Sequence, residues 1–186
     1  MLSASTIKTV RLVLTPLVAG DADAMVDVLA DERMHEFTGG HPPSLEDLRS
    51  RYQRLESGRS PDGHEAWLNW IVRLHDGLQP VGVMQATVAA DGSSADVAWE
   101  VGVASQGKGF ASEAATAVVE WLIEQGVRHV RALIHPEHVA SAVVASRAGL
   151  SATDECVDAE IVWRRSRGGV RRRSLGFGVW TERDSG

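Results

Sequence analysis

One stretch, running from Val101 to Ala114, constrains the fold of this chain more than any other. An apolar, β-like run ends at Val103 and a polar turn carrying Gly107 and Gly109 follows. A helical pattern then starts at once with Phe110-Ala111-Ser112-Glu113-Ala114. Glycine lets a backbone approach a ligand closely and take up angles closed to other residues. The first N–H groups of the helix have no partner within it and carry the positive end of its dipole. Such a strand–turn–helix corner is built to hold a phosphate or pyrophosphate.

Two common phosphate loops do not fit it. A dinucleotide-binding turn needs Gly-x-Gly-x-x-Gly in a parallel βαβ unit, with an acidic residue about 20 positions later. Here the third glycine position is Ser112. A nucleoside-triphosphate loop needs Gly-Lys-Ser/Thr, whereas Lys108 is followed by Gly109.

At 186 residues and 44% hydrophobic content, the chain is expected to fold as a single domain over 1–186 with a sizeable core. No stretch approaches the apolar length that spans a bilayer, and the residues from Met1 to Lys8 lack a signal peptide's apolar centre. The lone cysteine, Cys156, cannot form an internal disulfide. These features predict a cytoplasmic protein with no membrane partner and no structural zinc. Residues 164–186 hold seven arginines against two acids, a surplus of +5 that leaves −11 on the rest of a chain totalling −6. Six of those arginines fall between Arg164 and Arg173. This cluster reads as a solvated hairpin tip on an acidic protein, with nucleic-acid contact the less favoured reading.

Along the chain, Val10, Leu12 and Leu14 alternate and predict a half-buried strand over 9–16. Asp21 is placed to cap a short helix whose Met25, Val28 and Leu29 share a face. An irregular stretch over 31–43 follows. Ser44 with Asp47 resembles a capping box and starts a helix with Leu45, Leu48, Tyr52 and Leu55 inward. Strands over 67–74, 80–89 and 95–103, separated by Asp76-Gly77 and Asp91-Gly92, predict an antiparallel meander. The helix after the glycine turn runs to about Gln125, with Ala114, Val118, Trp121 and Leu122 on one stripe and Gly126 as its stop. A strand over 130–134 precedes a second helix with Pro136 in its first turn and Val139, Ala142, Val143 and Ala148 inward. Strands over 159–165 and 176–180 flank the arginine-rich loop. The fold class is α/β (α+β), in the order β-α-α-β-β-β-α-β-α-β-β. It amounts to a mixed, mostly antiparallel sheet of about seven strands flanked by about four helices, without internal repeats.

Gln106-Gly107-Lys108-Gly109-Phe110-Ala111 is similar to the Gln/Arg-x-x-Gly-x-Gly/Ala signature of the GNAT superfamily of acyl-CoA-dependent N-acyltransferases. The match is to its Gln/Arg-Gly-x-Gly form continued by Ala-Ser-Glu-Ala. A second piece, from His135-Pro136-Glu137-His138-Val139-Ala140-Ser141 to Arg147-Ala148-Gly149-Leu150, looks like the strand–helix segment that holds the pantetheine arm in that family. The predicted element order agrees over nearly the whole chain. The Ser-Glu-Ala continuation and the Ala-Ser of the second helix look most like the branch containing ribosomal-protein N-terminal acetyltransferases.

The resemblance implies acetyl-CoA as the cofactor, its pyrophosphate on the backbone amides from Gly107 through Lys108, Gly109 and Phe110 to Ala111, with Ser112 in the first helical turn. Gln106 would donate a hydrogen bond and Lys108 would add positive charge. The strand over 99–103 would offer N–H and C=O groups of Val101 and Val103 to the pantetheine, as a short extra strand would. In the family that strand parts from the next one, here 130–134. Only two residues separate Val103 from Gln106, fewer than the family's Val-x-Pro-x-x-Gln/Arg spacing, so the strand is expected to run almost directly into the loop.

The implied reaction is direct attack of a neutral amine on the thioester through a tetrahedral intermediate. It needs a proton acceptor, an oxyanion donor and help for the departing thiolate. A backbone N–H near Val103 suits the oxyanion. Glu100 is the candidate base: Trp99 and Val101 point to the other face, so Glu100 shares one with Gly102, and burial there would raise its pKa. The alternative is a strand carboxylate paired with an arginine. Many family members carry Asn at the position of His138 and Tyr seven residues on, where this chain has Ala145; its only tyrosine is Tyr52. Ser141, three residues after His138, could protonate or hydrogen-bond the sulfur, and a thiolate of pKa about 8.5 leaves with modest help. His138 could hydrogen-bond the cofactor or accept the proton, against a solvated histidine at a helix start.

Other residues carry weaker readings. His135 and His138 lack a third ligand, so no metal is expected, and Cys156 has no histidine partner in sequence. Trp67 and Trp70 read as core rather than as an acceptor pocket. Asp31, Glu32, His35, Glu36 and His41 form an acidic stretch that suits a cationic amine, or simply solvated loop charge. The expected partner is an amine-bearing small molecule or a peptide N-terminus, with a homodimer through the terminal strands left open. Two other functions stand beside catalysis: an acyl-CoA-binding or sensing module that has lost turnover, and a ribosome- or nucleic-acid-associated protein using the arginine loop.

Overall fold

The computed structural model describes residues 2–37 and 39–166. The strand expected over 176–180, the homodimer through it and most of the arginine loop lie outside these residues. The described strands form one sheet of eight, ordered β1-β2-β3-β4-β5-β6-β8-β7. They are β1 (Ile7–Lys8), β2 (Leu12–Pro16), β3 (Ala66–Leu74), β4 (Pro80–Val88), β5 (Ser94–Val101), β6 (His129–Ile134), β7 (Ser151–Val157) and β8 (Glu160–Ser166). The helices are α1 (Ala22–Val28), α2 (Leu45–Glu56), α3 (Phe110–Glu124) and α4 (Val139–Arg147). Every pairing is antiparallel except β5 with β6.

Alternation along the strands sends side chains to two separate cores. Leu68, Trp70 and Val72 of β3, with Met84, Ala86 and Val97, pack under Ala115, Val118, Val119 and Leu122 of α3, Val144 and Ala145 of α4, and Ala148 just after it. On the other face, Ile71 and Val83 pack under Met25 of α1 and Leu48 and Tyr52 of α2. The Ser44 hydroxyl caps α2, accepting from Asp47 N at 3.1 Å and donating to the Asp47 carboxylate at 2.6 Å.

Several expectations need correction. The strand expected over 9–16 is broken: Thr9 N and Oγ1 both bond the Leu12 carbonyl, and β1 folds back to pair Ile7 with Leu14. Val10 is thrown outward, 93% exposed, while Leu12 and Leu14 are fully buried. Asp21 precedes α1 without a side-chain cap bond; its carboxylate takes Val18 N and the Arg73 guanidinium instead. Pro136 lies in the turn before α4, which begins at Val139. Its inward stripe is Val144, Ala145 and Ala148, with Val139 and Val143 outside. β7 was not expected, because Ser-Ala-Thr-Asp-Glu-Cys-Val is a mostly exposed edge strand with no apolar alternation. It is joined to β8 by Asp158 and Ala159, both at positive φ (50° and 67°). Finally, β5 ends at Val101, and a 3₁₀ turn over Val103–Ser105 separates it from the glycine loop.

Candidate active site

Two neighbouring strands part at the centre of the sheet. β5 and β6 pair only at Ser94 with His129, Ala95 with Val130 and Asp96 with Arg131. The Arg131 guanidinium grips the Asp96 carboxylate at the last paired position, Nη2 to Oδ2 being 2.7 Å. Beyond it β5 runs on to Val101, while β6 follows β8 through Ile134. The result is a slot between two strand edges. Gly102 N donates to Val81 O at 2.9 Å, in register with the β4–β5 ladder. By the alternation of an antiparallel pair, Trp99 and Val101 therefore turn their N–H and C=O groups toward the slot. Val103 lies past the strand, in the 3₁₀ turn.

The glycine loop closes the same end. Gly107 and Gly109 sit at φ of 72° and 80°, a region that side-chain-bearing residues rarely adopt. Gly109 is the N-cap of α3 and no side chain caps the helix. The amides of Phe110, Ala111 and Ser112 thus begin a helix without intrahelical partners. Gln106 and Lys108, expected to face a phosphate, are engaged locally. Gln106 Nε2 donates to Val101 O at 2.9 Å and Lys108 Nζ to Ala104 O at 2.8 Å. The corner has what a pyrophosphate needs: helix-start amides without intrahelical partners, a helix dipole and open space over Gly107.

α4 flanks the slot from the α3 side. His138 caps it, with Nδ1 accepting from Ser141 N at 3.4 Å. Its ring stacks on Phe37, centroids 4.5 Å apart and planes inclined by 21°, and Phe37 also lies 5.5 Å from the His135 ring. Burial, helped by the neighbouring His135, pushes the His138 imidazole below its ordinary pKa, with Glu36 opposing. The hydroxyl of Ser141 accepts from Trp99 Nε1 at 3.3 Å. Neither Phe37 nor the partner role of Trp99 was read from the sequence. Phe37 sits in an aperiodic stretch, while Trp99 is legible as core-facing from strand alternation but not as a donor to α4. Ala145 is fully buried.

Glu100 faces the opposite side of the sheet. It pairs in register with Val83, which belongs to the α1–α2 core, while its neighbour Trp99 packs toward α3 and α4. Gly102 faces α1 so closely that a Cβ there would stand 2.8 Å from both Val28 Cγ1 and Val28 O. Tyr52 of α2 lies on this side, 2% exposed, and its hydroxyl has no hydrogen-bond partner. Burial pushes that phenol well above its usual pKa, and the Glu100 and Asp21 carboxylates add to the shift.

The remaining candidates settle elsewhere. Trp70 is fully buried, donates Nε1 to Ser5 O at 2.8 Å and meets Trp121 edge-on. Trp67 lies on the α1–α2 face, its Nε1 3.4 Å from Glu65. Hydrogen bonds from Arg33 hold the Asp31 carboxyl at about 2. Cys156 is exposed on β7. Among the described residues, no helix is long and apolar enough to cross a membrane.

The model of the acetyltransferase (GNAT) domain family matches residues 11–151. Among solved structures, a GNAT-family acetyltransferase from Bacillus anthracis superposes with a TM-score of 0.71 at 19% identity, over 87% of this chain and 98% of its own. An acetyltransferase from Agrobacterium tumefaciens does so with a TM-score of 0.67 at 24% identity, over 90% and 97%. The ribosomal L7/L12 α-N-protein acetyltransferase RimL, solved with coenzyme A, gives 0.73 at 16% identity, over 87% and 98%. No curated protein matches the chain.

Proposed function

The chain belongs to the GNAT acetyltransferase family, and we propose that it moves an acetyl group from acetyl-CoA to a primary amine, on a small molecule or at a peptide N-terminus. The observation that carries this reading is the parting of β5 from β6 beside the glycine loop. The two features adjoin in the chain, with one 3₁₀ turn over Val103–Ser105 between the end of β5 and the glycine loop.

The amides of Gly107, Lys108, Gly109, Phe110, Ala111 and Ser112 take the pyrophosphate, with Lys108 adding positive charge nearby and Gln106 bracing the loop on the Val101 carbonyl. Trp99 and Val101 offer strand-edge groups to the pantetheine, and Val101 N–H, with Val103 beyond it, serves the oxyanion. The acceptor amine enters from the α1–α2 side. Its nitrogen attacks the thioester carbonyl carbon, its proton passes to Glu100, and the carbon–sulfur bond breaks. Ser141 hydrogen-bonds the departing sulfur, while His138 fixes the helix turn that carries Ser141.

A second reading, an acyl-CoA-binding module of the same fold with weak turnover, is favoured by Ala145, which removes the usual phenol. A thiol-release screen with acetyl-CoA over small amines and N-terminal peptides separates the two. Turnover above hydrolysis with any amine, falling about a hundredfold in Glu100→Gln, supports the enzyme. Tight coenzyme A binding without turnover on any amine supports the module.

A further inference from the structure

Arg11 is 97 residues from Lys108 in sequence and lies directly against the glycine loop in space. The Glu113 carboxylate, on the first turn of α3, takes hydrogen bonds from Thr9 Oγ1 at 2.6 Å, Arg11 N at 2.9 Å and Arg11 Nε at 2.7 Å. Arg11 Nη1 donates to the Lys108 carbonyl at 3.0 Å. Its guanidinium carbon stands 4.8 Å over the Phe110 ring, and Nη2 lies 3.5 Å from where a Cβ on Gly109 would be. One side chain thus touches Lys108, Gly109, Phe110 and Glu113.

These contacts have a direction. In a trans peptide the carbonyl of one residue and the N–H of the next point opposite ways. Holding the Lys108 carbonyl on Arg11 therefore turns the Gly109 N–H to the far side of the loop, away from β2. Glycine samples either sign of φ freely, so a Gly-x-Gly segment does not hold that arrangement by itself. Charge matters as well. Glu113 is a carboxylate one turn into a helix whose start must hold an anion. Against its burial, the bonds from Thr9 and Arg11 keep it ionised, and the Arg11 fork neutralises it.

We propose that Arg11 is a positioning residue for acyl-CoA: through Lys108 and Glu113 it sets the loop amides for the pyrophosphate. This rests on the acetyl-CoA reading above. Calorimetry with coenzyme A, and ligand-observed NMR with pantetheine, test it on the whole chain. Arg11→Ala is expected to raise the Kd for coenzyme A roughly tenfold or more and to leave pantetheine, which has no phosphate, unchanged. Arg11→Lys should bind coenzyme A nearly as weakly, because an ammonium cannot span two acceptors as a planar fork does. If Arg11→Ala does not fold, the lysine variant, which keeps the stem and the charge, carries the same comparison. An unchanged Kd for coenzyme A, or equal losses for both ligands, would overturn the role. A wild-type chain that binds no coenzyme A would remove the acetyl-CoA reading itself, and this inference with it.

Discussion

Trp99 Nε1 donates to Ser141 Oγ at 3.3 Å, linking the slot-facing edge of β5 to the first turn of α4. A hydroxyl that accepts from an indole keeps its own proton for another acceptor. In the proposed reaction that acceptor is the sulfur of the thioester. Ser141→Ala is expected to lower kcat for thiol release roughly tenfold to a hundredfold with little change in KM for acetyl-CoA. Trp99→Phe, which keeps Ser141 but not the orienting bond, should cost less. Steady-state kinetics check both, and full activity in Ser141→Ala would remove the serine from the reaction.

His138 accepts from Ser141 N through Nδ1, which requires that nitrogen to be unprotonated. Its folded pKa lies below the unfolded value. The unfolded chain therefore binds more protons in the window between them, and stability rises with pH there. The contribution is fully present above the ordinary histidine pKa of about 6.5 and is lost as pH falls through the folded value. Melting temperatures measured from pH 8 to pH 5 should fall more steeply for the wild type than for His138→Asn, which keeps a capping acceptor without a proton to gain. Parallel curves would contradict the assignment.

Gly102 is required by close approach rather than by its backbone angle. A methyl there would meet the Val28 carbonyl at 2.8 Å, and a backbone atom in a packed helix cannot swing aside. Gly102→Ala should cost roughly 1–3 kcal/mol, read as a drop in denaturant midpoint, and should lower activity by pushing α1 off the end of β5. A neutral substitution would mean that α1 sits further from the sheet in solution.

Tyr52 buries a hydroxyl with no partner. Removing an unsatisfied donor relieves its desolvation, so Tyr52→Phe is expected to leave stability unchanged or raise it by about 1 kcal/mol. Chemical denaturation measures this. A loss of that size or more would show that the hydroxyl bonds something in solution.

Much of this arrangement was legible because the relevant signals are local. Gly107 and Gly109 mark the loop, Gly126 the end of α3, and alternation from Ala95 to Val101 the strand beside the slot. What stayed hidden was carried by contacts between distant segments. Val10 reads as an inward strand residue until the Thr9–Leu12 bonds fold the chain back. Ser141 lies three residues before the buried Val144 of α4, but as a polar residue it does not register in an apolar stripe. The sequence stripe therefore reads Val139, Ala142, Val143 and Ala148, of which Ala148 is buried while Val139 and Val143 are exposed. The grip of Arg11 on Glu113 and the stacking of Phe37 on His138 have no signature in sequence spacing. Strand β7 is an exposed edge held by its partner rather than by its own pattern.

Coenzyme A titrated into isotope-labelled protein, with backbone amides followed by NMR, tests the cradle most directly. The largest shifts are expected at the amides from Gly107 to Ser112, with further shifts at Trp99 and Val101 along the slot. Unmoved amides from Gly107 to Ser112 at millimolar coenzyme A would contradict a pyrophosphate site there.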